Sequence, residues 1–597
     1  MLFQSNEKHE LIRIAYARTG CYFFLQEDYF RRILKLSGVR SGDMTQISDM
    51  SFYVHILDGD KPERYHYYGD EGSLCLISPA RYVDVALTAD DEIRFRGAKN
   101  AGLRLELASN MEGNGAAALD SIVRLKDGSV EGIFGKHGNL RFVPIRGKVE
   151  YRAEYDCNLG RYAVLEVDML PDEEGRFEVS MQSYFGTPVP EVSAKSFEEI
   201  QTENRKSFAD FFANYTDIPE KYRTMAEEVV YVTWSHVMKP AGFVKSPMIM
   251  MHYNCLAAGF SWQQSYNGMA LQGNPQEGFR LISNMFLYQN PLNGCLPSTV
   301  SPGNVGDFGC QPPLQGFALN LLVRRCGEEF ITAEMAGDLL PKFEKWIAFW
   351  TTYRTAGRGD DLIQINNPNE SGWDDASTYK DGFPVSNSDT MALLIECMYA
   401  CSILARRAGD PEREASWKER GDRLLNTLIT EFWDGEKFVT KLRGKAVDSM
   451  SLACYQPILL GDRLPKEITH KIAEKLLEEG CFMTPMGLCT ESMKSPLCHW
   501  GWHFVLGRVV APANMLCSVG LWLAGEKEAA RKIASAWCDT VAEKGPRLGF
   551  KPYNVYPLTG EPADTLLEPQ VGDGWIWCGW SACNTMTMLQ TVLADED

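Results

Sequence analysis

The sequence predicts a multidomain chain, an N-terminal antiparallel β-sandwich followed by an all-α toroid of paired helices. Three observations predict it. Residues 1–195 are short alternating segments cut by Gly, Asp and Asn turns. From residue 223 onward, apolar residues recur at helical spacing between Gly- and Asn-rich loops. All fourteen tryptophans lie at Trp234 or later, so the first part lacks the largest ring available for stacking on a sugar.

In the first part, Ile93–Gly97 leads to Leu103–Leu107, and Leu140–Pro144 to Val149–Arg152. Period-two alternation with a turn every ten or so residues indicates a sandwich. This domain, residues 1–195, is expected to scaffold or wall a site rather than carry chemistry. Residues 196–222 are polar and read as a linker with some helix. The second domain spans residues 223–597. Helical periodicity marks Ala333–Ala356, Asp389–Ala408, Arg413–Phe432, Pro465–Glu479, Ala511–Ala524 and Glu528–Lys544. Asp389-Thr390-Met391-Ala392 opens one helix with an N-cap, and Met391, Leu394, Met398, Cys401 and Leu404 share a face. Trp346, Trp350, Trp417 and Trp537 fall inside such patterns and are expected in the core. No fixed repeat period is visible, and the helix pairs alone fit a toroid or a solenoid.

The 597 residues are 45% hydrophobic and 23% charged, enough apolar mass for a large core. A net charge of −19 argues against nucleic acid and anionic membrane surfaces as partners. There is no apolar run of ~18 residues, and the N-terminus lacks a basic segment followed by an apolar one. The 17 cysteines show no CxxC or zinc-type spacing. Reduced thiols and a cytoplasmic location are expected. His499 and His503 are four apart, but Gly501 disfavours a helix and no Glu-rich motif surrounds them, so no metal site is read. No phosphate-binding glycine loop or nucleophile elbow is present, and no cofactor is expected.

The stretch richest in chemistry is Asn366-Asn367-Pro368-Asn369-Glu370-Ser371-Gly372-Trp373-Asp374-Asp375-Ala376-Ser377. Its Asn, Pro, Ser and Gly residues make it a loop. An indole face suits the C–H face of a sugar. A carboxyl desolvated beside it holds its proton toward neutral pH, as a general acid must.

Around it stand other motifs in a telling order. Phe260-Ser261-Trp262-Gln263-Gln264-Ser265-Tyr266 precedes Leu281–Phe286, Gly294–Pro297 and Cys310-Gln311-Pro312-Pro313. After the loop come Arg508–Asn514, then Tyr553-Asn554-Val555-Tyr556-Pro557-Leu558-Thr559-Gly560-Glu561 and Trp577-Cys578-Gly579-Trp580-Ser581-Ala582. Over about residues 223–595 this order resembles the trehalase and family 63 glycoside hydrolase clan. The resemblance implies an (α/α)6 barrel and an inverting hydrolase acting on a small-molecule carbohydrate. It makes Asp374 the general acid, since the clan's acid directly follows Ser-Gly-Trp. The second carboxylate of an inverting pair stands roughly 6.5–9.5 Å away to admit a water. Asp375 is poorly placed for that, because adjacent side chains rarely face each other across a sugar.

The sequence departs from the clan at the base. The clan's Glu, about four residues before the closing Pro, corresponds here to Tyr553, with Asn554 beside it. The nearby carboxylates are Glu561, Asp564, Glu568 and Asp573. Glu568 is taken as the base because it precedes Gly572-Asp573-Gly574-Trp575 on the loop into the last helix, with Glu561 next. Gly303, Asn304, Gly306 and Ala257–Gly259 replace charged residues of trehalases, and Gln263 replaces an Asp. This excludes trehalase itself while keeping the clan. Stacking or hydroxyl-binding candidates are Trp262, Gln263, Gln311, Asn366, Glu370, Trp373, Trp500, Arg508 and Tyr553, chosen as loop aromatics or as amides and charges that pair with hydroxyls. Trp575 and Trp577 are further stacking candidates. The expected activity is release of a terminal, α-linked sugar. The alternatives are a lyase or epimerase using Tyr553 and His503, or a carbohydrate-binding protein that has lost its base.

Overall fold

The computed structural model describes residues 3–4, 15–28, 31, 33–40, 50–108, 120–134, 138–158, 160–185, 190–253, 256–306, 309–355, 362–499, 505–548, 554–555 and 578–594. The alternating segments of the first part form two antiparallel sheets of nine and eight strands. Glu92–Ala98 pairs with Tyr82–Leu87 and Phe177–Tyr184, and Ala101–Leu107 with Met50–Asp58 and Arg161–Leu170. Leu103 and Leu105 point into the core, while Arg104 between them grips Asp168 of the neighbouring strand at 2.7 and 2.8 Å. Phe52 of one sheet meets Phe134 of the other edge to face, at 5.7 Å between centroids. This is the expected sandwich.

Helix α1 (Phe197–Phe212) follows. The polar stretch read as a linker holds this whole helix, because Ser-x-x-Glu at its start is a capping box. Ser196 Oγ accepts from Glu199 N–H, and the Glu199 carboxylate accepts from Ser196 N–H at 2.7 Å. Buried Asn204 of α1 donates to the carbonyls of Gly72 and Leu87 and so ties the helix to the sandwich.

The remaining helices are α2 (Arg223–Ser235), α3 (Ser261–Ala270), α4 (Pro275–Ser283), α5 (Gln315–Cys326), α6 (Ala333–Tyr353), α7 (Ser388–Arg407), α8 (Pro411–Phe432), α9 (Lys466–Leu477), α10 (Ala511–Ala524), α11 (Lys527–Leu548) and α12 (Gly579–Thr591). A 3-10 helix, Leu452–Arg463, lies between α8 and α9 and breaks at Gly461. Their packing closes a ring in which α3 touches α5, α5 touches α7, α7 touches the 3-10 helix, that helix touches α10, α10 touches α12, and α12 returns to α3. The alternate elements α2, α4, α6, α8, α9 and α11 pack outside. This alternation of outer and inner members is the (α/α)6 barrel, and it resolves the choice between toroid and solenoid.

The helices with an amphipathic pattern in the sequence match α6 to α11. The pattern does not mark α3, α5, α12 and the 3-10 helix, which belong to the inner ring. Helices α7 and α10 are inner as well and are marked, so burial on both sides weakens the polar stripe that reveals a period without always erasing it. Every residue of α12 from Gly579 to Thr591 is buried. Trp346, Trp350, Trp417 and Trp537 are buried as expected. Helix α7 is apolar and long enough to cross a membrane, but its apolar surface is spent inside the ring. Its N-cap is Asn387 rather than Asp389. Asn387 Oδ1 accepts from the N–H groups of Asp389 and Thr390, leaving Asp389 in the first turn.

The ring is locked at the C-terminal ends of its inner helices. Gln590 of α12 donates to Ala270 O of α3 at 2.8 Å, and Gln272, just past α3, donates to Thr591 Oγ1 at 2.8 Å. Arg325 of α5 bonds Gln272 and the Gln590 carbonyl. Between α5 and α7 the backbones meet at Gly316, where an added Cβ would lie 2.3 Å from Cys397 N. Neither helix backbone can give way cheaply, so Gly316→Ala is expected to lower unfolding free energy by about 1–3 kcal/mol, read from urea melts of the two proteins.

Candidate active site

The N-terminal ends of α3, α10 and α12, the 3-10 helix and the loop before α7 converge on one small cavity of about 20 Å³. Trp262 and Tyr266 come from α3, Gly372 and Trp373 from the loop before α7, Gln456 from the 3-10 helix, Val510, Pro512, Ala513 and Leu516 from the start of α10, and Trp580 from α12, with Val505 completing the lining. Its floor is aromatic. Trp262 lies 5.0 Å from Trp580 and 5.4 Å from Tyr266, centroid to centroid. Trp373 is fixed by an Nε1–H bond to Gln456 Oε1 at 2.7 Å.

Why the loop needs its glycine is a matter of space. Gly372 has φ +76°, and a Cβ there would stand 2.1 Å from the edge of the Trp262 ring. The turn therefore lies directly on that indole. Upstream, the loop is anchored by Glu370, which is fully buried. Its carboxylate meets Arg354 at 2.8 Å, accepts from Asn366 N–H at 2.7 Å and lies 3.5 Å from Cys310 Sγ.

Asp374 follows Trp373, with its side chain accessible to solvent although protein crowds it on most sides. Lost solvation, and secondly the charge of Asp375, push its carboxyl from the ordinary 3.8 up to about 6. Asp375 itself accepts from Val505 N–H at 2.7 Å, which turns it toward the neighbouring loop.

Of the residues singled out in the sequence, Trp262 and Trp373 line the cavity. Glu370 does not face it. Burial and the Arg354 pair make it a support of the loop, which corrects its reading as a sugar contact. Gln263 is buried in α3 and donates to Met250 O at 3.2 Å, and buried Gln311 accepts from Trp262 N–H at 3.3 Å. Both brace the site from within. Arg508 is buried, and its carbonyl accepts from Thr490 N–H at 2.9 Å. Asn366 is exposed at the loop's start. Trp500, Tyr553 and Glu568 lie outside the described residues, as do Glu561, Asp564, Asp573, His503, Trp575 and Trp577. The strand Asn554–Val555 is described. It pairs with Val509–Val510, and Val510 lines the cavity, so the backbone of Asn554 and Val555 runs beside the cavity wall.

Sequence reasoning passed over Arg354, Tyr266, Gln456, Trp580 and Asp389. Tyr266 and Trp580 stand within the motifs already noted, and their place in those motifs was the available signal. Asp389 had none. It is buried in the first turn of α7, and its Oδ2 has no hydrogen-bond partner among the described residues. Burial raises its carboxyl to about 8, against the opposing pull of the Thr390 and Asp389 N–H groups.

Residues 282–578 match the family described as the mannosylglycerate hydrolase MGH1-like glycoside hydrolase domain. No curated protein sequence matches the chain. Among solved structures, the family 63 mannosylglycerate hydrolase of Thermus thermophilus in complex with glucose aligns with a TM-score of 0.50 at 17% identity, over 61% of this chain and 99% of that one. A bacterial glucoamylase complexed with acarbose aligns with a TM-score of 0.61 at 9% identity, over 98% of this chain and 95% of that one. The second alignment thus takes in the sandwich as well as the barrel.

Both raised carboxyls contribute stability that is fully present below the unfolded carboxylate range and lost as pH rises, through about 6 for Asp374 and about 8 for Asp389. Asp389→Asn removes the second loss. Its melting temperature relative to the unaltered protein is expected to climb as pH is raised from about 6 to about 9, measured by thermal scans across that range.

With the fold, the motif order and the domain match in agreement, the chain carries an (α/α)6 barrel of which residues 282–578 are similar to the MGH1-like glycoside hydrolase domain.

Proposed function

We propose that this enzyme releases a terminal, α-linked sugar from a small glycoside or oligosaccharide, with Asp374 as general acid and Glu568 as general base. The observation that carries the reading is the Asp374 carboxyl pushed up to about 6, one residue past Trp373 of the aromatic cavity. A carboxyl so placed holds its proton near neutral pH and delivers it where the leaving group departs. The glucose and acarbose held by the two aligned structures support a sugar as the ligand of this cavity.

In the reaction, the Asp374 proton passes to the glycosidic oxygen as its bond to the anomeric carbon breaks. Water attacks that carbon from the opposite face and gives its proton to the base. The products are the free sugar with inverted configuration and the aglycone alcohol. Trp262 and Trp373 offer ring faces to the sugar, and water is limited by an apolar wall from Val505 to Leu516.

Two outcomes test the acid. Asp374→Asn is expected to lower kcat by about 10²–10⁴-fold on an alkyl glycoside while the thermal midpoint holds or rises slightly. Because the protonated form is the active one, kcat of the unaltered enzyme falls as pH rises through about 6. That limb of the profile, measured by reducing-sugar release, is expected to vanish in the Asn variant. Undiminished turnover by the variant would remove Asp374 from the role.

A further inference from the structure

Tyr379 stands five residues after Asp374, at the end of the short turn Ser377–Tyr379, and its ring is buried. Its hydroxyl sits where two segments meet. On one side is Ser371 Oγ, inside the Ser-Gly-Trp-Asp turn. On the other is Asn387 Nδ2, 2.8 Å away, the side chain that caps α7.

The bonds to the amide fix its orientation. Asn387 Oδ1 is taken by the Asp389 and Thr390 N–H groups, so its amide donates to Tyr379 Oη. Ser371 Oγ donates to Pro368 O at 3.2 Å and accepts from Trp373 N–H at 3.2 Å. The Tyr379 hydroxyl shares a hydrogen bond with Ser371 Oγ. The phenol thus links the cap of α7 to the turn that carries Trp373 and Asp374. Burial keeps the phenol protonated far above its ordinary range, so the link persists at any working pH. Phe383 packs against the ring at 5.0 Å and holds it in place.

We propose that Tyr379 is a positioning residue for the general-acid step, holding the Asp374 turn in register with α7 through Ser371. The proposal rests on Asp374 being the acid. Tyr379 has no atom in the reaction. It fixes the reach from the Asp374 carboxyl to the glycosidic oxygen, where a misplacement of about 1 Å costs on the order of 10²-fold.

A merely structural tyrosine would affect every substrate alike. A residue that positions the acid matters only when the leaving group needs a proton. The probes are the methyl glycoside and the glycosyl fluoride of one sugar that the unaltered enzyme turns over. Methoxide must be protonated as it leaves, whereas fluoride departs as the anion. For Tyr379→Phe, kcat on the methyl glycoside is expected to fall about 10- to 100-fold with KM within about 3-fold, and the fluoride rate to stay within about 3-fold. Ser371→Ala is expected to show the same split. The double variant should be no slower than the slower single one, since both cut one connection.

Equal losses on both substrates, or no loss on either, overturn the proposal. If Tyr379→Phe does not fold, Ser371→Ala decides on the same two substrates. Asp374→Asn run alongside separates the two levels. If it spares the fluoride and loses the methyl glycoside while Tyr379→Phe is unaffected, the acid stands and the positioning role falls. If it hydrolyses the methyl glycoside normally, the acid assignment itself fails.

Discussion

Ring closure governs this molecule. Six inner elements, each touching two neighbours and an outer layer, hold polar side chains inside only at a cost. Several of these groups are tied across neighbouring helices. Asn320 of α5 donates to the Glu396 carbonyl of α7 at 3.0 Å, and Arg463 at the end of the 3-10 helix lies 3.4 Å from the Glu396 carboxylate. Such links crowd the C-terminal ends of the inner helices, together with the Gln590 and Arg325 bonds. The N-terminal ends are left to long loops, and there the cavity forms. Asp389 marks how strongly burial acts at that end. A helix N-terminus attracts a carboxylate by about 0.3–1 kcal/mol, yet its carboxyl is still driven up to about 8.

The acid loop is held from three directions. Glu370 pins its start to Arg354, Gly372 lets its middle rest on Trp262, and Asp375 fastens its end to the Val505 segment. The Asp374 carboxyl has no such clamp among the described residues, and crowding raises it to about 6. Two carboxyls four residues apart are thus treated differently. Glu370 is held in place by a cation, and Asp374 keeps its proton to higher pH through crowding.

The sequence made some of this legible and not the rest, for physical reasons. Strand alternation was readable because one face of each sheet meets solvent, and α6 to α11 because most of them border water on one side. The inner helices α3, α5 and α12 carried no such contrast. The Asn366–Ser377 loop announced itself by composition, and the order of the flanking motifs pointed to the clan. The split between Glu370 and Asp374 could not be read, because Arg354 sits sixteen residues upstream at the end of a helix whose course sets the pairing. Asn387 as the cap of α7 was missed for a similar reason. Asp389 is an equally good capping residue by type, and only the backbone geometry chooses between them.

The seam between α3 and α12 joins residues more than three hundred positions apart in the chain. Such contacts gain energy only after a long loop has been closed, so topologies that depend on them assemble late and slowly. Here the seam also brings Trp262 and Trp580 together to make the cavity floor. Any species with the other ten helical members docked and this joint open exposes two tryptophans and two helix faces that are otherwise buried. A lesion that delays that joint therefore leaves the tryptophans of the cavity floor open to association with other chains.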